Sequence, residues 1–413
     1  MILTQARHEQ KEKMNMQCLV PDDRNVNHVL SASHEILSPF SSLVIDFIDS
    51  FSGELLSDRA LRHHPELIAL GFWMRKSSIR KFQQDFLQSN AGKIKLARGT
   101  VFHIAPANVD TIFIYSLFLS LLLGNRNIVR VSQKASEQRD LLNGLLNRLL
   151  ARSEYSLLKD YLFVVGYEHD DRVTGKLSQL CQVRVVWGGD ATVEAVGRIP
   201  LPPRSSEIRF ANKYSFALLD NQVVAGLDKS ELNRLAKSFV NDAYAFGQMA
   251  CSSPRTVIWL GAAGDGRKAF WQAVERQLQS YNHELQAGDC VNKLVAGYSM
   301  AIEKACRVES NDNNLVMRVR PDSLEVIFNE LHCGSGLFVE SSVESLEQLT
   351  RMLGPEIQTL SYFGIEKESL SEWTGCGLKG VDRIVPIGKA LDFNKVWDGV
   401  DLTESLTREI TLL

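Results

Sequence analysis

Apolar residues recur along this chain in two rhythms. Short, unbroken apolar runs bounded by Gly, Asn or Pro alternate with longer stretches in which apolar residues fall three and four apart. The first rhythm belongs to strands buried on both faces, the second to helices laid against a sheet. Between residues 100 and 200 the alternation is regular. Thr100–Ala105, Asn127–Ser132, Leu162–Gly166 and Val183–Trp187 read as strands; Val109–Leu123, Ser136–Arg152 and a segment opening at Asp190 read as helices. Within Ser136–Arg152, the residues Leu141, Leu142, Leu145, Leu146, Leu149 and Leu150 form one stripe. Such alternation predicts an α/β fold with a parallel sheet covered on both faces. A second block starts near residue 221. A helix is predicted over Lys229–Gln248, where Leu232, Ala236, Phe239 and Ala243 keep helical spacing, followed by a strand at Arg255–Leu260. Residues 1–99 are mixed, and helices wrapping the core are expected there.

The most apolar segment, Thr111–Leu123, has 13 residues. A membrane span needs roughly 20, so a buried helix is expected. The chain has 413 residues, 45% of them apolar, enough for two or three domains and a sizeable core. Its 46 basic and 49 acidic residues leave a net charge of −3, which argues against a polybasic nucleic-acid binder. Seven cysteines at irregular spacing form no CxxC pair, so neither a disulfide framework nor a zinc ribbon is expected, and a reduced, cytoplasmic setting fits. The N-terminus lacks the apolar stretch of a signal peptide.

In an open parallel sheet, ligands bind beyond the carboxyl ends of the strands. Three segments fall there: Ala105-Pro106-Ala107-Asn108, Arg130–Lys134 and Gly188-Gly189-Asp190. Asn108 offers an amide donor or a plain helix cap. Arg130 and Lys134 are cations near a bound phosphate or solvated surface charges. Gly188-Gly189 admits a ligand against the backbone, and the helix beyond offers N–H groups to an anion; a plain turn is the simpler alternative. Cys251, in Gly247-Gln248-Met249-Ala250-Cys251-Ser252-Ser253-Pro254, lies between a helix and a strand. A nucleophilic thiolate needs a constrained loop and positive potential nearby; a small core cysteine is the alternative.

Other motifs are decoys. Gly261–Lys268 resembles a P-loop without its GK[ST] ending, and Gly375–Gly380 has GxGxxG spacing without a preceding strand and following helix. His63-His64 has no further ligand at metal spacing, and no metal site is expected.

Four blocks, Val101–Lys134, Val185–Phe210, Gly247–Arg255 and Val381–Leu402, resemble the LuxC-type acyl-CoA reductases of the aldehyde dehydrogenase superfamily, over roughly residues 30 to 410. The resemblance implies an aldehyde-dehydrogenase-like fold: a Rossmann-type cofactor domain over residues 1–220, rejoined by 385–413, and an α/β catalytic domain over 221–384 carrying the nucleophile. It implies reduction of a fatty acyl-CoA or other acyl thioester to the aldehyde through an acyl-cysteine. By the motifs, Cys251 is the nucleophile, Asn108 the oxyanion donor and Glu207 the counterpart of the superfamily's base. The cofactor would be held by Ala105, Pro106, Arg130, Ser132, Gln133, Lys134, Gly188, Gly189 and Asp190. Gln133 stands where the superfamily carries a ribose-binding glutamate. With Arg130 and Lys134 beside it, that change favours NADPH over NADH. Asp190 replaces a phosphate-turn residue, and no Gly-Gly follows Glu207; both depart from the superfamily pattern. A homo-oligomer and an acyl-activating or acyl-transfer partner protein are expected from relatives. An oxidative aldehyde dehydrogenase and a non-catalytic acyl-binding partner are the alternatives.

Overall fold

The structure is a computed structural model and describes residues 15–31, 35–58, 61, 64–106, 109–261, 264–281, 285–303, 305–310, 313–322, 331–392 and 394–412. The chain divides into two compact units, one running up to Ala211 and resuming at Asp401, the other spanning Asn212–Val400.

The strands of the first unit are β1 (Gln17–Val20), β2 (Ile94–Ala97), β3 (Thr100–Ile104), β4 (Arg126–Val131), β5 (Leu162–Gly166), β6 (Val183–Trp187) and β7 (Ser206–Phe210). Six of them form a sheet in the order β1-β5-β4-β3-β6-β7, parallel except at the β1 edge. Strands β3 to β6 are buried along their whole length, which is why they read as continuous apolar runs. Phe102, Ile104, Ile128, Phe163, Val165 and Val186 build the core on one face. The helix Thr111–Leu122 is buried nearly all round. Among the described residues no helix is long and apolar enough to cross a membrane. The helix Glu137–Leu150 buries Leu142, Leu145, Leu146, Leu149 and Leu150, but Leu141 faces solvent. The predicted stripe was one residue too wide, because six leucines in this register subtend more than the face a single sheet can cover.

The helix Thr111–Leu122 ends at a junction that fixes the unit's ends together. Gly124 has φ +88, and a Cβ there would lie 2.0 Å from the Leu37 carbonyl oxygen, so only glycine fits. Asn125 is fully buried with its amide satisfied on both sides. Its Oδ1 accepts from the backbone N–H of Arg98 (2.9 Å) and Gly99 (3.1 Å). Its Nδ2 donates to the carbonyls of Ser120 (3.2 Å) and Leu406 (3.0 Å). The returning C-terminal segment thereby docks here, and its strand Thr407–Ile410 pairs antiparallel with β2.

The second unit contains β8 (Tyr214–Asp220), β9 (Pro254–Leu260), β10 (Cys306–Ser310), β11 (Met317–Pro321), β12 (Leu337–Val343), β13 (Ile357–Phe363) and β14 (Arg383–Pro386), in the order β10-β11-β12-β9-β8-β13-β14. All pairs except β10–β11 are parallel. Alternate residues fill the two faces. Ala217, Leu219, Val257 and Trp259 join Phe239, Trp271 and Phe338 on one side; Phe216, Leu218 and Ile258 join Leu360 and Trp373 on the other. A boundary at residue 220 therefore fell too late: β8 is a central strand of this sheet, hydrogen-bonded to β9 and β13. A return to the first unit at 385 fell too early, since β14 pairs with β13. The GxGxxG stretch sits between the helix Lys367–Thr374 and β14, a turn as expected.

Replacing Asn125 with Ala leaves the half-buried N–H groups of Arg98 and Gly99 and the Leu406 carbonyl without this partner, while the Ser120 carbonyl keeps its backbone donors. We expect a loss of about 3 kcal/mol or more, read as a lowered denaturant midpoint with an unchanged m-value.

Candidate active site

Cys251 lies just ahead of Pro254, at the amino end of the central strand β9. The helix leading to it, Lys229–Tyr244, stops four residues short of the predicted end. Three consecutive residues then take left-handed conformations, Phe246 (φ 55), Gly247 (φ 59) and Gln248 (φ 67). What overrides the helical periodicity is the Gln248 side chain, which is fully buried. Its Nε2 donates to the carbonyls of Pro254 (3.0 Å) and Leu337 (3.1 Å), and its Oε1 accepts from the Gly336 N–H (2.9 Å). The Ser335 N–H donates to the Gly247 carbonyl (2.9 Å). Gly334 (φ +77) must be glycine, because a Cβ there would sit 2.4 Å from that same carbonyl oxygen. Ser215 completes the clamp. Its Oγ donates to the Cys251 carbonyl (2.6 Å) and accepts from the Thr359 N–H (3.1 Å).

The half-buried Cys251 thiol has its pKa raised. Burial is the main cause and the negative charge of Asp398 the next. Arg255 and the backbone N–H groups of Cys251 and Lys213 act the other way. Arg255 is the positive neighbour that a thiolate would want, and its buried Nε has no hydrogen-bond partner. His332 is no base for the thiol. Its Nδ1 accepts from the Gly334 N–H (3.2 Å), which leaves Nε2–H to donate to the Leu337 carbonyl (3.1 Å). Burial and then the Arg255 charge push its pKa down to about 3.

In the first unit the sheet order reverses between β3 and β6, and the sequence-selected segments collect at that edge. Ala105 continues β3, its N–H donating to the Arg130 carbonyl (3.0 Å), and Pro106 follows it. Gly188 and Gly189 follow β6, and the helix Asp190–Gly197 opens at Gly189 without a side-chain cap. Gln133 and Lys134 are exposed beyond β4, and Ser132 Oγ accepts from the Lys134 N–H (3.2 Å). Arg130 departs from expectation. Its guanidinium turns inward, donates to the Tyr167 carbonyl (3.2 Å) and stacks over the Tyr167 ring at 5.4 Å; it is only 9% exposed. Burial lowers its pKa. It is neither a solvated charge nor a free cation, and Lys134 carries the exposed charge at this strand end. Ala107 and Asn108 lie outside the described residues.

Glu207 is placed in β7 with both carboxylate oxygens taken. One is paired with Arg184, the other with Arg209 at 2.5 Å. Arg184 is 1% exposed and also donates to Ser178 Oγ (2.9 Å) and the Ile199 carbonyl (3.0 Å). A carboxylate that neutralises a buried guanidinium is a structural anchor and a poor proton acceptor. The expectation of a base at Glu207 is corrected on this ground. Sequence reasoning missed Asp398, although Asp398-Gly399 between Val396-Trp397 and Val400 is a strong hairpin signal. The sequence carries no signal for Lys213, Ser215 or Arg255 as neighbours of Cys251.

The fold is that of the aldehyde dehydrogenases. Aldehyde dehydrogenase 21 from Physcomitrella patens, in complex with succinate, superposes with a TM-score of 0.65 at 8% identity, covering 93% of this chain and 88% of that one. An oxidoreductase from Marinobacter aquaeolei gives 0.65 at 11% identity over 93% and 89%. An NAD-dependent benzaldehyde dehydrogenase from Corynebacterium glutamicum gives 0.61 at 12% over 91% and 85%. Within that class the sequence is more specific: residues 75–409 match the family described as acyl-CoA reductase (LuxC), and the chain belongs to it. A long-chain acyl-protein thioester reductase of Photorhabdus laumondii is 25% identical over 318 residues, 75% of this chain; the match spans 62% of that relative's length.

Two outcomes follow from the electrostatics. Glu207→Gln leaves the Arg184 charge buried and half-compensated, so thermal melting should show a loss of about 3 kcal/mol. Alkylation of Cys251 by iodoacetamide, followed by peptide mass spectrometry across pH, should have a midpoint above that of an unhindered thiol, because burial and Asp398 both disfavour the thiolate.

Proposed function

We propose that this protein reduces a long-chain fatty acyl thioester, acyl-CoA or a protein-bound acyl group, to the aldehyde through an acyl-Cys251 intermediate. The observation that carries the reading is the clamped turn that presents Cys251 at the head of β9, in a chain of the acyl-CoA reductase family. The Cys251 sulfur attacks the thioester carbonyl. Its backbone N–H and, on its sequence motif, the Asn108 amide stabilise the oxyanion; one such donor is worth roughly 3–4 kcal/mol. The leaving thiol departs and the acyl chain stays on sulfur.

A nicotinamide cofactor would supply the hydride that converts the acyl-Cys251 to the aldehyde. The residues at the β3/β6 edge suit one. The glycine pair and uncapped helix start after β6 can face a pyrophosphate, and Gln133 with Lys134 put a neutral amide and a cation where a carboxylate would repel a 2′-phosphate. That donor set supports NADPH, with Lys134 rather than Arg130 as its cation. Ala105, Pro106, Ser132, Gly188, Gly189 and Asp190 would line the same edge.

Cys251→Ala should abolish acyl transfer onto the protein and aldehyde formation. The check is a chain-length panel of acyl-CoA substrates with NADPH and NADH, following reduced nicotinamide and trapping the aldehyde. Covalent acylation of the variant, or steady oxidation of aldehyde without CoA, would overturn the assignment. Lys134→Ala should raise KM for NADPH about tenfold and leave KM for NADH unchanged.

A further inference from the structure

In the helix Ala287–Glu303 the buried positions are Lys293, Ala296, Gly297 and Met300. Their spacing is that of an apolar face laid on a sheet, and a lysine takes its first position. Lys293 is 0% exposed. Among the described residues it has no carboxylate partner; its Nζ donates instead to the carbonyls of Asn314 and Ser335 (2.6 Å to the latter). A buried ammonium without a counter-ion is far costlier than the apolar residue the pattern asks for, and the two groups it holds show what the charge does there.

Both carbonyls belong to left-handed residues, Asn314 (φ 51) and Ser335 (φ 56). They stand just ahead of β11 and β12, in two segments joined by the Met317 N–H and the Gly336 carbonyl (2.9 Å). Each segment reaches the turn that carries Cys251. From the first, the Leu315 carbonyl accepts from the Tyr244 hydroxyl (3.0 Å), at the end of the helix leading into that turn. From the second, Ser335 and Gly336 donate their N–H groups to the Gly247 carbonyl (2.9 Å) and to Gln248 Oε1 (2.9 Å). One ammonium thus grips both segments that brace the turn, one at its start and one at its middle.

We infer that Lys293 is a positioning residue for Cys251: its ammonium locks the segments at 314–315 and 334–336 together and thereby aims the sulfur at the thioester carbonyl. This rests on Cys251 being the acylated residue, as proposed above. Lys293 takes no part in making or breaking bonds; it acts through Ser335, Gly336 and Gln248. A sulfur displaced by about 1 Å loses roughly a hundredfold in attack, so a brace of this kind is felt in the rate. The titratable groups around Lys293 are Cys290 and Asp289 on its own helix and Cys333 on the segment it holds; Asn313, Asn314, Leu315 and Val316 add none. Burial pushes its pKa down to about 8, against the pull of Cys290, Cys333 and Asp289. At neutral pH its two bonds are therefore charge-assisted, roughly twice as strong as those of a neutral amine. The clamp is tight below about pH 8 and slackens above it.

The test reads two rates at Cys251 in the full chain by peptide mass spectrometry, acylation by palmitoyl-CoA without cofactor and alkylation by iodoacetamide. Both need the thiolate, so their ratio cancels its titration, and only acylation needs the sulfur aimed at a bound carbonyl. In the wild-type chain the ratio of acylation to alkylation should fall as pH rises through about 8. Lys293→Met keeps the length of the side chain and removes its proton and donors. At neutral pH its ratio should be about a hundredfold lower, through slower acylation at an unchanged alkylation rate, and should no longer vary with pH. A flat wild-type ratio, a variant ratio at the wild-type value (both rates lost together, as a merely structural role requires), a variant ratio lowered by faster alkylation, or one that keeps the wild-type pH dependence would each overturn the inference and leave Cys251 as nucleophile. If Lys293→Met does not melt cooperatively, the wild-type profile decides: a falling ratio upholds the inference and a flat one overturns it. A wild-type chain that takes no acyl group on Cys251 would overturn the proposed function and this inference together.

Discussion

Three hydrogen bonds made by one buried amide hold the turn on which Cys251 sits. Left-handed backbone at Phe246 and Gln248 costs on the order of 1–3 kcal/mol at each residue, while a buried hydrogen bond contributes about 1 kcal/mol net. The two sums are of the same size. The turn is therefore stable only while Gln248 has all its partners, and the 334–337 segment with its positive-φ glycines exists in this form to supply them. That balance explains why a glutamine stands three residues ahead of the cysteine: an apolar side chain of equal volume would leave the strained backbone unsupported.

Much of the fold was legible because both sheets are buried on both faces. A strand covered on two sides must be apolar at every position, and β5 (LFVVG) and β6 (VRVVW) announce themselves within a residue of their true ends. The single charge in β6 is informative after the fact. Arg184 is tolerated only because Glu207 on the neighbouring strand neutralises it, and local sequence carries no sign of that pairing. The helix before Cys251 was overextended because Ala245–Gln248 has helical composition, whereas its conformation is decided by partners about ninety residues away. The six-leucine stripe was read too wide for a similar reason, since periodicity reports a pattern and not which edge of it the sheet reaches.

The candidate site is legible in part. Local rules about loops, glycines and carboxyl ends of strands select Cys251 and the strand-end segments of the first unit as candidates. The charged groups do not. Whether Arg130 meets a ligand or a tyrosine carbonyl, and whether a carboxylate is free or already paired, depends on neighbours 23 to 37 residues off for Arg130 and Glu207. For Asp398 and Cys251 the separation exceeds a hundred residues. Short-range pattern singles out the candidate cysteine; long-range topology decides which charged groups surround it.

The junction at Asn125 bears on how the chain is made. The first unit draws its closing contacts from Leu406 and the strand Thr407–Ile410, whereas the second is one continuous stretch interposed between the two parts. During ribosomal synthesis the inserted unit can complete its sheet while the unit begun earlier still waits for its last strand. Amide side-chain groups at residue 125 and the edge of β2 lack these partners until residues 406–410 have been made. Emergence of Leu406–Ile410, rather than of the leading half, is the event that closes the first unit.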